Sequence, residues 1–213
     1  MNCKLSLRGK GMRILVYGDS LIHDLADANK INADTVYDLS PNGGGFVDAL
    51  AEGEDKINQL TNAGYYNYTL VSVGYFDIYY AKAVYDQVHP DYLAKKIVKL
   101  VSHIAGKNAK RVKFVSIQPL DDMPRMKELF DGDLETADSI IRETNQKIKE
   151  GLAKKGIDFV DAYSALVNNR THQINLKYLS GYGGINNAGK DVIARAIERS
   201  IWQSELPEQK ENV

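Results

Sequence analysis

A serine placed where a β-branched run gives way to helical spacing can serve as a nucleophile, and Ser20 is placed that way. Arg13-Ile14-Leu15-Val16-Tyr17 reads as a strand, Gly18 ends it, and a helical pattern runs from Ser20 to about Asn29. A hydroxyl at a helix start lies in the positive end of the helix dipole, and the free N–H groups there can stabilise an oxyanion. That is the equipment of acyl transfer. The plainer reading is that Asp19 or Ser20 caps the helix. Catalysis also needs a base, because serine at its free pKa is a poor nucleophile. Four histidines are available: His23, His89, His103 and His172. His172, in Asn168-Asn169-Arg170-Thr171-His172, lies in the connection between the last strand and the last helix. His23 shares the face of Ser20 by i,i+3 spacing but would have to fold back over the helix start. His103 falls on a long helix, and His89 precedes Pro90 at a helix entry.

The elements that must position these groups follow from periodicity. Further strands are expected at Thr35-Val36-Tyr37-Asp38-Leu39, Tyr68 to Val73, Val112 to Ser116, and Asp158-Phe159-Val160. Helical faces are expected from Phe46, Val47, Leu50 and Ile57, from Leu93, Ile97, Leu100 and Ile104 behind Pro90, and from Leu134 through Leu152. A last helix carries Val192, Ile193, Ala196, Ile197 and Ile201 after an Asn186-Asn187 cap signal. Between the second strand and its helix lies Ser40-Pro41-Asn42-Gly43-Gly44-Gly45, a loop whose glycines imply a tight turn or a close approach. Five strands alternating with five helices predict an α/β three-layer αβα sandwich on a five-stranded parallel sheet of flavodoxin-like type. Ligands of such sheets bind beyond the carboxyl ends of the strands. The boundaries expected are an extension over 1–11, one domain over 12–203 and a polar tail over 204–213.

Gly18-Asp19-Ser20-Leu21, at a strand-to-helix turn near the N-terminus, resembles the nucleophile block of the GDSL/SGNH hydrolases. The resemblance extends from Met12 to about Ile201. Asn42-Gly43-Gly44-Gly45 lies where that family keeps its oxyanion glycine, and Gly74-Tyr75-Phe76-Asp77 occupies its Gly-x-Asn-Asp turn. Gly156 to Asp161 resembles the strand before the family's final loop, and Asn186-Asn187-Ala188-Gly189 looks like the helix entry just after the catalytic histidine. The resemblance therefore implies that Ser20 is the nucleophile, with Gly44, Gly45, Gly74, Tyr75 and Asp77 around the oxyanion and substrate. Three positions depart from it. Phe76 stands where the family has an asparagine amide, Gly181 where it has the orienting aspartate and Gly184 where it has the base. Losing one oxyanion donor costs on the order of a hundredfold to a thousandfold in rate, and losing the base of a serine triad about a millionfold.

The remaining composition narrows the classes. With 27 basic against 28 acidic residues and a net charge of -1, there is no basic excess to bind nucleic acid. The single cysteine, Cys3, excludes an internal disulfide framework, and no run approaches the length of a membrane span, so an intracellular protein without a signal peptide is expected. Neither paired cysteines nor a His-Glu-x-x-His spacing is present, and the glycine loop lacks the Lys-Ser/Thr of a phosphate loop, so no cofactor and no metal is expected. The acidic cluster Asp121, Asp122, Asp131 and Asp133 reads as a solvated lid or crossover, with a cation site as the lesser alternative. Eight of the 13 tyrosines fall between Tyr65 and Tyr92, where Tyr75, Tyr79 and Tyr80 would flank Ser20, as suits sugar stacking or a protein interface. Two functions are compatible with these residues. One is a family member with a degenerate site, used for binding or as an accessory component of an assembly, with a protein partner or a carbohydrate or acyl ester ligand at the Ser20 face. The other is an active serine esterase that uses Ser20 with a non-standard base.

Overall fold

A computed structural model describes residues 11–41, 45–119, 128–168, 170–171, 174–180 and 184–205. The strands are β1 (Arg13–Gly18), β2 (Thr35–Asp38), β3 (Tyr68–Ser72), β4 (Val112–Val115) and β5 (Asp158–Val160). The helices are α1 (Ser20–Asp27), α2 (Val47–Asn62), α3 (Tyr75–Tyr85), α4 (Pro90–Ala105), α5 (Leu134–Ala153), α6 (Ala162–Leu166) and α7 (Asn187–Glu205). All four strand pairings are parallel, in the order β2-β1-β3-β4-β5. The three-layer architecture read from the sequence is the one observed.

Strand alternation divides the core in two. Leu15, Tyr17, Val71 and Phe114 face a core shared with α2, α3, α4 and α5. Ile14, Val16, Leu70 and Val115 face the opposite one, closed by α1, α6 and α7. Because successive side chains of a strand point to opposite faces, a strand buried on both sides is largely apolar, which is why Ile14-Leu15-Val16-Tyr17 in β1 and Leu70-Val71 in β3 stand out. In this strand order the chain reverses direction of sheet growth between β1 and β3, and the carboxyl ends of those two strands open a crevice. Ser20 follows β1 and Gly74 follows β3, so both lie at that crevice.

Two helices were not foreseen. The tyrosine-rich segment after β3, expected as a loop, is α3, and it buries only Tyr75 and Ile78. Its aromatic residues are spread around the helix rather than along one stripe, so no helical periodicity shows. The other, α6, has five residues, too few to display a period. At the C-terminus α7 continues to Glu205, and its Ser204 hydroxyl packs on the Lys113–Asp158 pair.

Candidate functional site around Ser20

Ser20 is the first residue of α1 and is half-buried. Asp19 before it is the cap: its Oδ1 accepts from the Leu21 N–H at 3.2 Å, while its own N–H donates to the Ser72 carbonyl at 2.8 Å. The helix start is therefore pinned to the end of β3. Gly18 makes this possible, since a Cβ there would lie 1.9 Å from the Ser72 carbonyl oxygen. Asp19 is buried, and burial pushes its carboxyl up to about 7, against the lowering effect of the Leu21 and Tyr75 N–H groups. It points into the protein as a cap and not outward as a base. Both the capping and the nucleophile-block readings of Gly18-Asp19-Ser20-Leu21 thus have a place: Asp19 caps, and Ser20 is left at the helix start.

The neighbouring loops close around this turn. The Gly18 N–H donates to the Ser40 hydroxyl at 3.1 Å, and Gly45 packs so tightly that a Cβ would come within 2.9 Å of the Gly18 carbonyl oxygen. Gly74 has φ 120, a conformation that favours glycine, and it is the N-cap of α3. Asp77 lies in the first turn of α3. Its carboxylate accepts from the Val47 N–H at 3.2 and 3.3 Å, tying the first turn of α3 to the start of α2, and burial raises it to about 6. Tyr75 is buried, whereas Tyr80 is exposed. Phe76, in the place of the expected amide, stacks edge-on to Tyr75 at 5.7 Å and lies 6.2 Å from Phe46. Phe46 in turn meets Tyr80 at 5.7 Å, and Tyr80 meets Tyr85 at 6.2 Å. A continuous run of rings therefore leads outward from the crevice. Phe46 had not been singled out in the sequence, where it read only as part of a helix face.

Among the described residues, His23 is on α1, His89 at the start of α4 and His103 on α4. Both ring nitrogens of His23 face carboxylates, Nδ1 with Asp38 at 2.5 Å and Nε2 with Asp27 at 3.4 Å, and the Asp38 hydrogen bond raises its pKa. His103 meets Asp55 at 2.8 Å and Glu54 at 3.9 Å on the α2–α4 surface, and His89 is the N-cap residue of α4. Among the described residues no histidine hydrogen-bonds the Ser20 hydroxyl. Gly184 has φ 78, its carbonyl accepts from the Ser180 N–H, and Leu179 bridges Ile185. Asn186 caps α7 through the Gly189 N–H, as its sequence signal implied. Of the acidic cluster, Asp133 caps α5 through the Thr136 N–H. His172, Asn42, Gly43, Gly44, Gly181, Asp121 and Asp122 lie outside the described residues.

Comparison with solved structures places this fold among known ones. A putative acylhydrolase from Bacteroides fragilis superposes with a TM-score of 0.69 at 18% identity, over 90% of this chain and 87% of that one. A GDSL-like lipase from Bacteroides thetaiotaomicron gives 0.68 at 18% identity, over 92% and 90%. A catalytic mutant of an acetylxylan esterase from Geobacillus stearothermophilus gives 0.65 at 13% identity, over 91% and 95%. The chain has the GDSL/SGNH-hydrolase fold. No family model and no curated protein sequence matches it, so the likeness to SGNH structures is carried by the fold. No helix among the described residues is long and apolar enough to cross a membrane.

Proposed function

We propose that this SGNH-fold chain uses the Ser20 crevice to bind a ligand or partner and does not turn over esters at the rate of a serine hydrolase. The observation that carries this reading is the disposition of proton acceptors. Ser20 keeps its helix start, but Gly184 stands at the position expected for the base, and His23 and His103 hydrogen-bond carboxylates and not the Ser20 hydroxyl. Phe76 supplies no amide donor to an oxyanion. What the crevice offers is contact area: the run from Tyr75 through Phe76, Phe46 and Tyr80 to Tyr85 suits stacking on sugar rings or burial under a protein partner. Those two occupants match an accessory or assembly role.

The second reading, a serine esterase with His172 as a displaced base, is favoured by the retained hydroxyl at the N-terminus of α1. One experiment separates the two. Purified protein, Ser20→Ala and His172→Ala are incubated with a fluorophosphonate probe and with p-nitrophenyl acetate. The binding reading predicts no Ser20-dependent labelling and turnover equal in all three proteins. Labelling abolished by Ser20→Ala, with turnover lost in His172→Ala, would replace it with the esterase.

A further inference from the structure

The His23 pairing belongs to a larger cluster that neither reading of Ser20 uses. His23 and Asp27 stand one helical turn apart on α1, so their side chains share a face. Asp38, the last residue of β2, meets them from the sheet. One donor atom from each of the three lies within 4.8 Å of the other two. An ion can take only one ring nitrogen: on Nδ1 it stands between the imidazole and Asp38, and the exposed Asp27 carboxylate, 3.4 Å from Nε2, turns to reach it. Asp38 is already oriented: its Oδ1 accepts from the Ser40 N–H at 2.8 Å, which turns Oδ2 toward the imidazole. A fixed outer hydrogen bond of this type is what aligns carboxylate ligands at metal centres.

The charge balance points the same way. The lysines nearest this region are committed to other carboxylates, Lys30 to Asp191 and Lys190 to Asp24. Among the described residues no lysine or arginine pairs with Asp27 or Asp38, so two carboxylates converge on one imidazole. Both aspartates also line an open groove of about 440 Å³ between α1 and β2, giving an ion a route in and room for water in its remaining positions.

We propose that His23, Asp27 and Asp38 bind a divalent cation of the zinc class. One imidazole with two carboxylates suits Zn²⁺ or its Co²⁺ substitute, and the nitrogen ligand disfavours Mg²⁺ and Ca²⁺. On binding, the ion displaces the proton shared by His23 Nδ1 and Asp38, which passes to solvent. It then links α1, which begins at Ser20, to the segment after β2 that leads through Ser40 to Gly45. This inference is independent of whether Ser20 catalyses.

The test uses full-length, tag-free protein stripped with chelator and dialysed, titrated calorimetrically with Zn²⁺ and with Mg²⁺ and spectroscopically with Co²⁺. One equivalent of Zn²⁺ should bind in the micromolar range and raise Tm, with Mg²⁺ much weaker. His23→Ala and Asp38→Asn should each weaken Zn²⁺ binding by at least about tenfold and abolish the visible Co²⁺ absorption. His103→Ala, which alters another histidine–carboxylate pair, should change neither. Equal Tm values of the stripped proteins will establish that the variants fold. Zn²⁺ binding no tighter than millimolar, or binding that survives His23→Ala and Asp38→Asn, would overturn the proposal.

Discussion

Asp19 is buried at the crevice, and its titration is a consequence of that burial. In the unfolded chain its carboxyl titrates near the ordinary value, about 3.9, whereas burial holds it near 7 in the folded protein. The folded state therefore binds the proton more tightly, and the stability so gained is complete below about pH 4 and lost as pH rises through about 7. Asp77, raised to about 6 by burial, acts in the same direction. Urea midpoints should accordingly be higher at pH 5 than at pH 8. Asp19→Asn keeps an oxygen to accept from the Leu21 N–H and removes the titrating group. Its midpoint should fall less between pH 5 and pH 8 than that of the parent, the difference amounting to at least about 1 kcal/mol. An equal fall in both proteins would mean that Asp19 stays ionised when folded. At this scale Ser20 was legible in the sequence because a strand, a glycine and a helix start are all local signals. The partner of His23 was not: Asp38 is 15 residues away, on another element, and only the packing of α1 beside β2 brings it in.

At the scale of elements, the close approach of β1 to β3 decides whether the crevice exists. Gly18 pairs with Ser72 in the sheet, and the atoms that a Cβ would strike are backbone, at 1.9 Å for the carbonyl oxygen and 2.9 Å for its carbon. No rotamer change can relieve such a clash. Gly18→Ala is expected to cost at least about 3 kcal/mol in urea denaturation. Gly132→Ala meets nothing within 4 Å and should cost only about 1 kcal/mol for its φ of 78. Comparable losses would show that the strands can part locally. β1, β3 and β4 could be read because they are buried along most of their length, the edge strands β2 and β5 from shorter β-branched or aromatic runs, and all five sets of ends moved by no more than a residue. By contrast α3 was hidden by its own composition. Between Tyr75 and Tyr85 apolar and aromatic residues occupy every side, while burial selects only Tyr75 and Ile78. The aromatic run beside Ser20 depends on that helix, since it brings Phe76, Tyr80 and Tyr85 to Phe46.

For the molecule as a whole, the pole opposite Ser20 carries a polar cluster that joins β4, β5 and α7. The Lys113 side chain is fully buried, its ammonium donating to Asp158 and to Ser204, each at 2.6 Å, and lying 5.1 Å from the Tyr68 ring centroid. Asp158 is half exposed, so the two charges are not equivalent. Removing the aspartate strands an ammonium that water cannot reach, and Asp158→Ala should destabilise by about 3 kcal/mol. Removing the lysine leaves a carboxylate that solvent and the Ser204 hydroxyl can still satisfy. Lys113→Met, which keeps the length and apolar stem, should then cost no more than about 1 kcal/mol. Chemical denaturation of the two variants reads this asymmetry directly. Equal costs would mean that the pair acts as an ordinary surface ion pair. Because the cluster lies at the amino ends of the strands, neither substitution should alter Zn²⁺ affinity, which depends on α1 and the carboxyl end of β2.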